Sequence, residues 1–201
     1  MENIPPYLQH DAKSHHWRFL YTRRRSSLSK NTREIFIGQL ISLTGSIIAG
    51  YLLELSKGTL AAVAGVFLLL PGVFDMGGNI AGSFGAHINH VLEYKPKNTL
   101  GLFVKSLIHS LGVAAIASMF LGLVAGSLAA LLFHASYWVI FKIAVFSALL
   151  STLIGLPLVG IATVVAFKRG YDPDNFIGPI ETSIFDSLSI VVVVLVMRMV
   201  I

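Results

Sequence analysis

Apolar residues fall in long runs along the chain, without the strict alternation of strands or the narrow stripes of amphipathic helices. Each run is long enough to cross a bilayer. Five such runs are separated by short polar breaks, at about residues 35–53, 59–92, 106–133, 138–167 and 178–196. The second stays helix-compatible for on the order of 50 Å at 1.5 Å per residue, against a hydrocarbon core of ~30 Å. It is therefore expected to kink at Pro71–Gly72 and to project past the membrane. Pro157 interrupts the fourth run, and such prolines are tolerated where neighbouring helices or water satisfy the freed carbonyls. The fold class that follows is all-α integral membrane, with five transmembrane helices per protomer. No internal repeat is visible, so with an odd number of helices a two-fold pathway would need a second copy.

Composition agrees with this pattern. Of 201 residues, 55% are hydrophobic and only 12% charged, and the mean hydropathy is +0.76. That is half the charge of a soluble domain, which carries about 25%. There are no cysteines, which excludes disulfides, thiolate metal sites and Cys nucleophiles. The net charge of +5 does not point to nucleic acid, because the basic residues lie mostly outside the apolar runs.

Residues 1–34 read as a basic arm, with Arg23, Arg24, Arg25, Lys30 and Arg33 ahead of the first span and an interfacial helix around Trp17–Tyr21. No apolar segment suggests a cleavable signal. Residues 35–201 form the membrane domain. Twelve basic residues fall in the arm and in the 93–105 and 168–175 connections, against Lys57, Lys142 and Arg198 on the other side. This asymmetry places the N-terminus in the cytoplasm and the C-terminus outside the cell membrane. The arm also suits anionic lipid. Small residues mark expected helix contacts at Gly38, Gly45, Gly50 and the Gly122-x-x-x-Gly126 pair.

Three acids fall in or beside the spans: Asp75, Glu181 and Asp186. A charge at helix-centre depth costs roughly 2.5–3.5 kcal/mol on insertion scales, so each is a candidate for function, with a structural acid as the alternative. Asp186 shares a helical face with Thr182, Ser183 and Ser189. Glu181 points about 140° away and sits near the helix start, where a carboxylate is favoured in any case. In the second span, Asp75, Asn79 and Ser83 share a face, and the adjacent Gly77 and Gly78 allow close approach or free carbonyls. Carboxylate, amide, hydroxyl and carbonyl oxygens suit hard cations such as Mg²⁺ and Ca²⁺. His87 and His90 lack a nearby third ligand and read as a solvated pair, while His109 is open between a polar contact and a proton-handling group. No nucleophile, P-loop, dinucleotide or zinc-protease motif occurs, so an enzyme is not expected.

At these residues the sequence resembles the transmembrane domain of MgtE magnesium channels and the related solute-carrier family 41. One stretch is Pro71–Asn79. The other is Asp172-Pro173-Asp174-Asn175 with Pro179 and Asp186, similar to the signature that opens the fifth span in solute-carrier 41 proteins. The resemblance covers roughly residues 35–201. It implies a homodimer with a pore between protomers, lined by the second and fifth spans, and Mg²⁺ as the transported ion and a candidate structural one. It also implies that Asp186 is the pore aspartate and that Asn79, with Gly78, holds the family's Gly-Asn position. Asp75 and Glu181 have no family counterpart. Nothing in this sequence resembles the family's helical and CBS sensor domains, and Lys105 and His109 stand where an acid is expected early in the third span. Three readings follow: a Mg²⁺ channel or transporter, an exchanger coupled to Na⁺ or H⁺, and a non-transporting membrane scaffold.

Overall fold

The computed structural model describes residues 28–94, 99–171 and 173–201. The expected helix near Trp17–Tyr21, most of the basic arm and Asp172 lie outside the described residues. Five long helices make up almost everything described: α1 (Leu28–Leu60), α2 (Val66–Tyr94), α3 (Thr99–Phe133), α4 (Tyr137–Lys168) and α5 (Ile177–Val200). A 3-10 turn, Pro173–Asn175, precedes α5. All five helices are long and apolar enough to cross a membrane.

Several boundaries differ from the sequence reading. The first helix starts at Leu28, inside the expected arm, and runs on to Leu60 rather than ending near Leu53. Its first turns are supported by Lys30 and Glu34, an i,i+4 pair at 3.7 Å. Near its other end Glu54 and Lys57 pair one turn apart, so these charges decorate the helix instead of stopping it. The break falls at residues 61–65, where Gly65 takes a φ of +80° and an added Cβ would come within 2.7 Å of Ala129 Cβ. Glycine is required there twice over, by conformation and by space. α2 therefore starts at Val66 and not near Thr59. Its 29 residues span about 43 Å, still longer than the hydrocarbon core. Pro71 lies inside it, and the helix carries on through the proline. α3 begins at Thr99, which turns Lys105 from a loop residue into an exposed helical one.

α2 packs on α3, α3 on α4 and α4 on α5, whereas α1 makes hardly any contact with α2, its neighbour in sequence. α4 packs against α2, α3 and α5, while α1 leans chiefly on α5 and runs parallel to it. In membranes such contacts rest on close packing more than on water exclusion, and small residues carry them. Phe185 of α5 is fully buried and wedged between Gly77 of α2 and Gly155 of α4, either of which would collide with its ring if it bore a Cβ. Gly38 and Gly45 of α1 meet Pro179 and Ser183 of α5. Among the described residues Gly50 meets nothing within 4 Å, so of the three glycines singled out in α1 two make contacts there. Gly122 and Gly126 receive Phe141, Val145 and Tyr137 of α4, so that motif seats large side chains within the protomer.

Candidate functional site

The contacts of α5 fix which way each of its residues faces. Pro179 and Ser183 look at α1, and Ser187 Oγ lies 3.5 Å from the Gly45 carbonyl. Glu181 looks at Gly82 of α2, and Phe185 sits between α2 and α4. At about 100° per residue, Thr182 and Asp186 fall in the remaining sector, between the α1 side and the α2 side. Thr182 is exposed and Asp186 half-buried. They form the floor of a groove whose walls are α1 and α2.

Asp186 stands nine residues beyond Ile177, where α5 begins, about 14 Å along the axis and near the middle of a bilayer core. Ser46 Oγ of α1 donates to its Oδ2 at 3.4 Å. One turn earlier the Thr182 hydroxyl donates to the Gly178 carbonyl at 2.9 Å, which leaves its oxygen lone pairs turned outward. Ser183 is a member of the α1 seam instead. Its Oγ is 2.8 Å from the Pro179 carbonyl and 3.2 Å from the Ile41 carbonyl. Ser189, expected on the same face, is fully buried.

The α2 wall carries the second set of oxygens. Asp75, Asn79 and Ser83 are all exposed along one stripe, and Ser83 Oγ donates to the Asn79 carbonyl at 3.0 Å. The space beside Gly78 is open. Gly82 faces Glu181, Gly77 faces Phe185 and Gly85 faces Ile177, so α2 descends as α5 rises. By that register Asp186 is level with Met76 and Gly77, and Asp75 and Asn79 bracket it within a single turn. The fold thus brings Asp186, Asp75, Asn79 and Ser46 to one depth along the groove.

Glu181 is placed apart from this set. Its carboxylate presses on Gly82, where an added Cβ would be 2.5 Å from Oε2, and that oxygen is buried without a hydrogen-bond partner among the described residues. His87 and His90 are exposed on the long end of α2, with His90 Nδ1 3.9 Å from Glu93 Oε2. No group of three metal-ligating side chains occurs among the described residues. His109 is exposed on α3, which packs on α2 and α4.

Sequence reasoning found the acids but missed their setting. Ser46 gave no signal beyond being a serine in an apolar run. The tie between Asn175 and Glu34, at 2.9 Å across 141 residues, was equally silent. Gly38 and Gly45, seven residues apart, were the visible hint that α1 lies close along another helix.

Residues 70–196 match the family model for MgtE, described as divalent cation transporter. The matched stretch contains Asp75, Asn79 and Asp186 and leaves α1 out. Comparison with curated proteins and with solved structures gives no match.

Proposed function

The chain belongs to the MgtE family of divalent cation transporters, and on that premise we propose that it passes Mg²⁺ through an oxygen-lined pathway formed by α2 and α5 of two protomers. The observation that carries this reading is Asp186, half-buried at mid-membrane depth with one long hydrogen bond to Ser46. An acid so placed is costly against lipid. Asp75 and Asn79 make the same face of α2 polar at the same level. A second copy set against the groove would turn these oxygens toward each other across water and away from acyl chains. A two-fold axis doubles every ligand it gathers, which is how a five-helix protomer acquires a closed pathway.

Mg²⁺ sheds its waters reluctantly and is held well by one or two carboxylates plus many hydrogen-bond acceptors. In the proposed pathway Asp186 attracts the hydrated ion, and Thr182 and Asn79 accept hydrogen bonds from its water shell. Gly78 leaves room for that shell. Asp75 adds a second negative station within a turn. Glu181, nearer the start of α5, adds a carboxyl group on the inner side of the pathway, and Ser183 supports the site by holding α5 on α1. The Lys and Arg asymmetry puts the N-terminus in the cytoplasm, with the basic arm against anionic lipid.

The test is flux in proteoliposomes. Wild-type protein should take up Mg²⁺ without needing Na⁺ or a pH gradient, and Asp186→Ala should abolish uptake while leaving a folded dimer. Uptake by the variant at wild-type selectivity would remove Asp186 from the pathway, and dependence on a counter-ion would make the protein an exchanger.

A further inference from the structure

Glu34 is buried in α1, only 3% exposed, and is the one fully buried acidic or basic side chain among the described residues. It accepts a hydrogen bond from Asn175 Nδ2 at 2.9 Å, while Lys30 Nζ stands 3.7 Å from its other oxygen and 3.4 Å from the Gly170 carbonyl. Asn175 closes the 3-10 turn immediately ahead of α5. A carboxylate taken out of water is expensive, and replacing a buried ionic group by an apolar one of similar size is often neutral or stabilising. Where such groups persist, register is their best-attested use.

The rest of the α1–α5 contact supplies the register. From Glu34 with Asn175, the seam continues through Gly38 with Pro179, Gly45 with Ser183, and Ser46 with Asp186. From the Glu34–Asn175 bond to the Ser46–Asp186 bond the seam advances by roughly the same length on both helices, about three turns, so α1 and α5 run in step. The apolar contacts in the middle repeat at one turn, ~5.4 Å, and leave small shifts of α5 open, while Gly45 against Ser183 narrows the choice of register. The Glu34–Asn175 bond, at hydrogen-bonding distance, tolerates no such shift.

We propose that Glu34 is a positioning residue for the ion pathway: its hydrogen bond to Asn175 sets the register of α5 on α1 and so the place of Asp186. The inference rests on the reading of α5 as a pathway helix. Glu34 on α1 lies outside the stretch matched to the family and Asn175 lies within it. The residue acts through α5 and need touch no ion.

The test measures register directly. Because the chain lacks cysteine, Ser46→Cys with Ser187→Cys gives a clean pair across the seam in full-length protein in liposomes. Cross-linking should be rapid in the otherwise wild-type background. With Glu34→Leu it should slow by about tenfold or more, since a shift of α5 along or about its axis carries the pair out of the narrow geometry, Cα atoms within ~7 Å, that a disulfide allows. Thermal stability should change little. Glu34→Gln with Asn175→Asp reverses donor and acceptor and should restore the rate. If Glu34→Leu does not fold, Glu34→Asp, which keeps the charge but shortens the reach, takes its place. Undiminished cross-linking in the folded variant overturns the proposal, as does slow cross-linking that the reciprocal exchange fails to restore. Mg²⁺ flux per folded protein, measured on the same variants without the cysteines, should fall and recover in parallel. Absence of flux in the wild type would instead sink the transport reading, and the cross-link would still decide the register.

Discussion

Ser46 on α1 donates a hydrogen bond to the Asp186 carboxylate on α5, at 3.4 Å and across 140 residues of sequence. It is the contact by which the outermost helix reaches the acid at the centre of the groove. A bond this long is weak, so its worth lies in aiming the carboxylate. Ser46→Ala should lower Mg²⁺ flux severalfold but by less than tenfold, as a bond of about 1 kcal/mol implies. Flux in liposomes over a range of Mg²⁺ concentrations checks this. Complete loss would give Ser46 a direct role on the ion.

Two glycines of α1 form a controlled pair. A side chain at Gly45 would run into Ser183, whereas Gly50 has nothing within 4 Å. Gly45→Val should destabilise the protein by about 1–3 kcal/mol through overpacking, and Gly50→Val should not. Thermal unfolding in detergent reads the difference, and equal shifts would mean that α1 and α5 do not pack as described.

Phe185 fills the space between Gly77 and Gly155 and is wholly buried. Phe185→Ala should leave a cavity and cost about 3–5 kcal/mol. Gly77→Ala combined with Phe185→Leu should recover part of that loss, because the smaller side chain makes room for the new methyl. Chemical unfolding of the single and combined variants measures it.

The outward stripe of α2 should meet its own copy. With Asn79→Cys or Asp75→Cys as the only cysteine, mild oxidation should give a disulfide-linked dimer. Leu131→Cys, on the exposed face of α3, should not cross-link. Gel electrophoresis without reductant distinguishes the two, and a monomeric Asn79→Cys product would place the protomer contact elsewhere.

The number and order of helices were legible because lipid demands long apolar runs, and such runs are hard to mistake. The acids were legible for the converse reason, since Asp186 and Asp75 are conspicuous where charge is costly. Helix ends were less so. Glu54 and Lys57 look like a stop but neutralise each other on the helix surface, and the true break needs only Gly65 and its space beside Ala129. The roll of α5 could be guessed from Thr182 and Asp186, yet Ser183 falls on the α1 seam, since one face of a helix is wider than the groove it borders. The neighbours Ser46 and Glu34 were illegible in principle, because parallel pairing of the first and last helices is set by the packing of all five.

α3 has a further consequence through its length. Its exposed side chains include Leu100, Ile108, Ile116, Leu123, Leu131 and Phe133. At 1.5 Å per residue that surface extends about 50 Å, whereas the core of an ordinary bilayer is ~30 Å thick. Even a strong tilt does not absorb the whole excess, so the surrounding lipid must thicken or the helix ends must lie along the headgroups. Acyl-chain length thereby becomes a mechanical load on the bundle: thin membranes strain it and thick ones relax it.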